Sequence, residues 1–303
     1  MELTDLHVFR TVVREGGVIR AADRLHRVQS SVATRVKNLE EELGVALFLR
    51  EGRRMQLSSA GRVLLDYADR LLALAEEARD ALHETAPRGI FRLGSMESTA
   101  AARLPAPLNE FHERYPEVSV ELHTGDPRHL AARVLSGELD AALVAEPVSD
   151  ARLEARVAYE EELVIIAEAG HARIASPRDA RKRTLLAFHP GCPYRKLLED
   201  WFARYGVAPE RIVELASYHA ILGCAVAGMG VALMPRSVLD TYTERSRLSV
   251  HALSGRFRAA RTLLIWRTES PQAKVAAFAD ILIPGREKTR ENQAKVRGER
   301  QNN

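Results

Sequence analysis

The residues of this chain best suited to specific chemistry form a run of hydrogen-bond donors between Gln29 and Leu43, QSSVATRVKNLEEEL. At about 100° per residue, Val32, Val36, Leu39 and Leu43 fall in one narrow arc and make a buried helical stripe. The opposite side then carries Ser30, Thr34, Lys37 and Asn38, with Gln29, Ser31 and Arg35 at its front or flank. Amide and guanidinium groups match purine edges, while hydroxyl and ammonium groups match phosphate oxygens. Gln29 and Ser30 also open the helix, where free backbone N–H groups favour a phosphate. This is the equipment of a major-groove reader, and the expected partner is double-stranded operator DNA. Glu40, Glu41 and Glu42 oppose such contact but are expected at the helix end farthest from the groove.

A basic cluster follows. FLREGRRMQL, Phe48 to Leu57, reads as a two-stranded wing turning at Gly52, with Arg50, Arg53 and Arg54 on or beside the turn. Alone, a charge run usually marks a solvated loop. Next to a donor-rich helix it reads as a second DNA contact.

These side chains need a small scaffold. Leu6, Phe9, Val12 and Val13 recur at helical spacing before Gly16-Gly17, and Ala21-Ala22 with Leu25 mark a second helix that another helix can approach closely. Ser58 or Ser59 can cap a third long element, Ala60 to Leu82, in which Leu64, Ala68, Leu71, Ala75, Ala78 and Leu82 repeat along one side. Such a seam is expected to pair with its twin in a homodimer, or a tetramer, so that two recognition helices meet an operator of approximate dyad symmetry.

From Phe91 onward strand and helix patterns alternate, which predicts an α/β fold with mostly parallel sheets. Strands are expected at 91–95, 118–123, 140–144, 163–167, 185–188, 212–215, 231–234 and 262–266, with helices at 99–115, 128–136, 194–205, 218–227 and 271–283. A return of the last strand and helix to the first half divides this region into two lobes. Ligands in such folds bind beyond the carboxyl ends of strands. That rule selects Ser95, Glu97, Ser98 and Thr99, Gly125-Asp126, Glu146, the segment Phe188 to Tyr194 with Cys192, and Ser217 to His219 with Tyr218. Glu97, Asp126 and Glu146 facing one cleft would suit a diamine or other cationic metabolite; Arg195 and His219 could instead recognise a carboxylate. Ser98 and Thr99 read equally as helix caps.

The boundaries expected are a DNA-binding domain at 1–58, a linker and dimerisation helix at 59–86, an effector-binding domain at 87–285, and a disordered basic tail at 286–303. Within the effector domain, one lobe takes about 90–160 and 266–285, the other about 161–265. The tail supplies the whole net charge of +3, so the body is neutral and global charge points to no partner. Two cysteines, Cys192 and Cys224, are too few for a disulfide scaffold and lack metal-ligand spacing, which fits a reducing, cytoplasmic setting. The N-terminus alternates charged and apolar residues unlike a secretory signal, and the uncharged stretch Leu215 to Pro235 contains Ser217, His219 and three glycines, unlike a membrane span. There is no nucleophile elbow, phosphate-binding loop, HExxH or CxxC, and Gly228-Met229-Gly230 precedes a strand instead of opening a helix. No catalytic residue, metal or cofactor is therefore expected, and the reading is a binding protein, not an enzyme.

The string GVIRAADRLHRVQSSVATRVKNLEEELGVALFLREGRRMQLSSAG resembles the N-terminal module of LysR-type transcriptional regulators, matching the Ala-Ala pair, the Gln opening the recognition helix, Leu39-Glu40, Leu43-Gly44, Leu47-Phe48, Arg50 and Ala60-Gly61. Ser30 and Ala33-Thr34 depart from the commoner pattern. The resemblance implies an all-α winged helix-turn-helix plus long linker helix, joined to a C-terminal α/β two-lobed effector domain of periplasmic-binding-protein architecture. LGSMESTAAARLPAPLNEF, GCPYRKLLEDWF and SYHAILGCAVAGMGVALMPRSVL are similar to the subgroup containing an enteric regulator of putrescine utilisation. A polyamine or other small metabolite as effector, and RNA polymerase as a further partner, are implied by that likeness. An amino acid or carboxylate effector, or a thiol-based redox switch as in some members, are the alternatives it leaves open.

Overall fold

The computed structural model describes residues 1–51, 54–81, 87–268 and 273–283. It forms two compact units, one of residues 1–85 with 136–138 and one of the remainder. Leu82, Arg53 and the expected basic tail lie outside the described residues.

The N-terminal unit comprises α1 (Leu3–Glu15), α2 (Val18–Arg24), α3 (Gln29–Leu43), the hairpin β1 (Phe48–Glu51) and β2 (Arg54–Leu57), and α4 (Ser59–Ala81). α1 stops at Gly16, whose left-handed conformation (φ 67°) lets its N–H reach back to the carbonyls of Val12 and Val13. Val8, Val12, Ala21, Ala22, Val32 and Val36 form one core cluster; Leu6, Phe9, Leu39, Leu47, Ala68 and Leu72 form the other. Leu43, expected in the buried stripe, is 37% exposed. The helix ends at once in left-handed Gly44, and the core resumes at Leu47 in the following segment. Ser58 caps α4: its Oγ accepts from the Gly61 N–H at 2.9 Å and donates to the Ala46 carbonyl at 2.7 Å. Gly61 is required there because a Cβ would stand 2.2 Å from the Leu47 carbonyl oxygen.

The second unit contains β3 (Gly89–Ser95), α5 (Glu97–Ala102), α6 (Pro105–Arg114), β4 (Val118–Thr124), α7 (Pro127–Leu135), β5 (Ala141–Ala145), β6 (Leu153–Glu168), β7 (Thr184–Ala187), α8 (Pro193–Arg204), β8 (Arg211–Glu214), α9 (Tyr218–Val226), β9 (Ala232–Pro235), α10 (Arg236–Asp240), β10 (Leu248–Ala252), β11 (Ala259–Arg267) and α11 (Ala273–Leu282). The large sheet runs β10-β6-β11-β5-β3-β4, with β9 also on β6, and β7-β8 pair separately. Two expectations are corrected. The sheet is mixed: β3 is parallel to β4 and β5, but β11 is antiparallel to β5 and β6, and β6 is antiparallel to β9 and β10. The cause is the 16-residue strand β6, which carries the chain out to the second lobe while β11 brings it back beside it. The single helix expected over Thr99 to Tyr115 is two, because Pro105 has no N–H to continue the ladder and starts α6 instead.

Each lobe has its own core. Phe91, Phe111 and Phe278 stack in the first with centroids 5.3–5.5 Å apart; Leu163, Ile165, Leu185, Leu198, Trp201 and Phe202 fill the second. None of the helices among the described residues is long and apolar enough to cross a membrane.

Candidate functional site

In the N-terminal unit, α3 exposes Gln29, Ser30, Ala33, Thr34, Lys37 and Asn38 on one face, while Ser31 and Arg35 are half-buried. Val28, its N-cap, contributes no side-chain hydrogen bond and its carbonyl takes the Ser31 N–H at 3.1 Å, so the N–H groups left at the helix start are those of Gln29 and Ser30. Arg35 Nη1 donates to Asp5 Oδ1 at 2.6 Å, so the guanidinium ties α3 to α1. Lys37 meets Glu41 at 3.1 Å, an exposed pair worth at most about 1 kcal/mol and easily surrendered. The acidic run is largely occupied. Glu40 Oε1 accepts from the N–H groups of Leu47 at 2.7 Å and Phe48 at 3.1 Å, fixing the start of the wing, and Glu42 pairs with the amino terminus of Met1. In the wing, Arg50 lies opposite Met55 and Arg54 opposite Glu51 in register; the side chains of Arg50 and Arg54 are outside the described residues.

The seam expected along α4 is divided. Ala68 is buried in the unit's own core with Leu64 packed against it, whereas Leu71 is 38% exposed and Ala78 is exposed. The exposed apolar residues Val63, Tyr67, Leu71, Leu74 and Ala78 lie within an arc of about 80° beside the packed face. Leu72, absent from the expected seam, is the residue that packs.

In the second unit a cavity of about 410 Å³ opens between the lobes. One wall is the turn after β3 and the turn after β4: Met96, Glu97, Ser98, and Thr124 to Pro127. The other is Phe188, His189, Cys192, Pro193 and Tyr194 ahead of and within α8, with Ala216 and Tyr218 at α9. Its two acids are Glu97 and Asp126, and it has no Lys or Arg. Ser98, Tyr194 and Tyr218 are nearly fully buried, and Ser98 hydrogen-bonds both phenols. Burial pushes both phenols above their ordinary range, so they stay neutral. The Phe188 and Tyr218 rings meet edge-on at 4.8 Å. Burial also raises the Glu97 carboxyl, against the opposing pull of the Tyr218 backbone N–H and of His219. Asp126 Oδ1 lies 3.4 Å from His189 Nε2 across the cleft. Two acid-bearing contacts thus link the lobes.

Of the expected residues, Glu97, Ser98, Gly125, Asp126, Phe188, His189, Cys192, Pro193, Tyr194 and Tyr218 line this cavity; Ser95, Thr99, Glu146, Arg195 and His219 do not. Ser95 is wholly buried and donates to the Met96 carbonyl at 3.0 Å, and Thr99 is buried on the inner side of α5. Arg195 donates to the Phe188 carbonyl at 2.8 Å, to Glu199 at 2.9 Å and to Glu214 at 3.1 Å, so it braces the wall from behind. His219 is exposed. Glu146 lines an adjoining cavity of about 850 Å³. Cys192 and Cys224 are free thiols, and burial raises the Cys192 thiol, the opposite of what a reactive thiolate needs. Met96, Thr124, Pro127 and Ala216 were missed, although Thr124 closes a strand and Met96 follows one, the positions that the carboxyl-end rule selects.

Known proteins share this architecture throughout. The family described as bacterial regulatory helix-turn-helix protein, lysR family, matches residues 3–62, and the LysR substrate binding domain matches residues 84–285. The uncharacterized HTH-type transcriptional regulator YusT of Bacillus subtilis is 37% identical over 295 residues, covering 97% of this chain and 98% of its own. The HTH-type transcriptional regulator GltR of the same species is 35% identical over 271 residues, 89% of this chain and 92% of its own. Among solved structures, a full-length OxyR variant from Pseudomonas aeruginosa superposes with a TM-score of 0.74 at 23% identity, over 94% of this chain and 96% of that one. Full-length CbnR complexed with its target DNA gives 0.68 at 23% identity, over 93% and 99%. A helix-turn-helix unit with an exposed donor face, followed by a two-lobed binding unit, therefore places this chain in the LysR family of DNA-binding transcriptional regulators, which are not enzymes.

Proposed function

We propose that this regulator reads its operator with the α3 face formed by Gln29, Ser30, Thr34, Lys37 and Asn38, two copies being held together through α4, and that a small amine bound between the lobes adjusts its DNA affinity. The observation that carries the DNA reading is the exposure of this whole donor face beside an uncapped helix start. For the pairing, Val63, Tyr67, Leu71 and Leu74 form an apolar stripe that the unit itself leaves uncovered. The amine reading rests on cavity charge, two carboxylates and no Lys or Arg; none of the relatives reported above is named for putrescine, so that subgroup adds nothing to it. An effector acts on DNA affinity only insofar as it binds one lobe arrangement better than another.

Fluorescence anisotropy with DNA from upstream of the protein's own gene, across a series of salt concentrations, tests the DNA reading. Expected are a linear fall of log affinity with log salt and a preference over random DNA of at least about 10³-fold. Equal affinity for random DNA, or indifference to salt, overturns it.

A further inference from the structure

The cleft continues past the first cavity. A second one, about 850 Å³, shares Pro127, Cys192, Pro193 and Tyr194 with it, so the two chambers have a wall in common. Their charges are opposite. The first chamber has the carboxylates of Glu97 and Asp126 and no Lys or Arg. The second has Arg128, Lys196 and Arg261 against Glu146 and Glu160.

Ion pairs inside the second chamber sharpen this difference. Arg261 meets Glu160 at 3.2 Å and Glu146 at 3.9 Å, so the two acids of the chamber already share a cation. Lys196 pairs with half-buried Asp200 at 2.5 Å one turn along α8, whereas Arg128 has no ion pair or hydrogen bond among the described residues. Among the described residues Arg128 is thus the chamber's unpaired cation, and Lys196 shares a single carboxylate. The common wall is also the first turn of α8, where Cys192 as N-cap supplies no side-chain hydrogen bond, so the partial positive charge of the helix end adds to theirs.

We infer that the effector is a zwitterion, an amino acid whose ammonium group lies with Glu97 and Asp126 in the first chamber and whose carboxylate lies towards Arg128 and Lys196 in the second. This rests on the amine reading above and narrows it. A diamine would satisfy the first chamber and set its second charge against the unpaired Arg128 guanidinium; a dicarboxylate would do the reverse. The buried phenols of Tyr194 and Tyr218 and the Phe188 ring give an uncharged middle for the carbon chain.

Isothermal titration of the full-length protein with four probes of one chain length tests this: 5-aminopentanoate, 1,5-diaminopentane, pentylamine and pentanedioate. 5-Aminopentanoate is expected to bind at least about ten-fold more tightly than the other three. Arg128→Gln combined with Lys196→Gln should abolish that preference while leaving pentylamine affinity unchanged, and Glu97→Gln should weaken all three amine-bearing probes. Equal or tighter binding of the diamine overturns the zwitterion and leaves the amine reading standing. Binding of pentanedioate alone, or of none of the four, overturns both.

Discussion

At the residue scale, the recognition face separates into side chains that can meet DNA and one that serves the fold. Thr34 and Asn38 are exposed with no internal partner to lose, so Thr34→Ala and Asn38→Ala should each weaken operator binding by about 1–3 kcal/mol while thermal denaturation midpoints stay unchanged. Arg35→Ala behaves differently, because its guanidinium holds Asp5 of α1. It should lower the melting temperature, Asp5→Ala should lower it further because Asp5 Oδ2 also accepts from the Glu2 N–H at the start of α1, and the double variant should be no worse than Asp5→Ala alone. A normal melt for Arg35→Ala with lost DNA binding would restore it to the reading face. Glu97 gives a pH dependence. Burial holds its carboxyl above the ordinary range, so it begins to take up a proton at a higher pH than an exposed glutamate does. A cationic ligand meets its carboxylate only above that point. Amine affinity, measured by calorimetry from about pH 7.5 down to pH 5, should therefore fall as the pH drops, and Glu97→Gln should flatten the profile.

At the element scale, α4 shows what periodicity can and cannot tell. A helix was legible from the serine cap and the apolar repeat, but the sequence does not say which apolar positions the unit itself consumes. Leu64, Ala68 and Leu72 pack on α1 and the wing, while Val63, Tyr67, Leu71 and Leu74 are left over one step around the helix. The two faces should respond differently to substitution. Leu72→Ala should cost about 2–5 kcal/mol in unfolding free energy. Leu74→Glu, on a side chain 59% exposed, should leave the melt of the unit intact yet dissociate the oligomer in sedimentation velocity. If Leu74→Glu still sediments as wild type, α4 is not the pairing element. The same lesson holds for β6, of which only Leu163 to Ala167 was read as a strand. Its first half, LEARVAYEEE, mixes charged and apolar residues because it sits half-exposed between lobes, so no apolar run marks it.

At the scale of the second unit, the two lobes are joined by β6 and β11 and by a buried polar cluster beside them. Arg103, between α5 and α6, donates to both carboxylate oxygens of Glu161 at 2.8 and 3.0 Å, and Ser237 of α10 donates to the same carboxylate at 2.7 Å. Glu161 is buried, so removing its cation leaves an uncompensated charge. Arg103→Ala should cost on the order of 3 kcal/mol, the lower end for such pairs because the guanidinium is itself 35% exposed. Glu161→Gln should cost less, since no buried charge remains, and chemical denaturation of the two variants measures the difference.

The amino-acid order by itself determined most of the helices and strands, though not α10 or β10 or the break between α5 and α6, together with the donor-rich face of α3, the wing, and the strand ends from which a cleft is built, because each depends on periodicity, turn residues and local hydrogen bonding. Tertiary structure alone decided which candidates face a ligand. Ser95 and Thr99 turn inward, Arg195 braces a wall, Arg35 anchors a helix, and Asp126 meets His189 from 63 positions away in the chain. Those outcomes depend on contacts between residues distant in sequence. No local pattern records them, because a side chain's partner is set by how the elements pack and not by its neighbours along the chain.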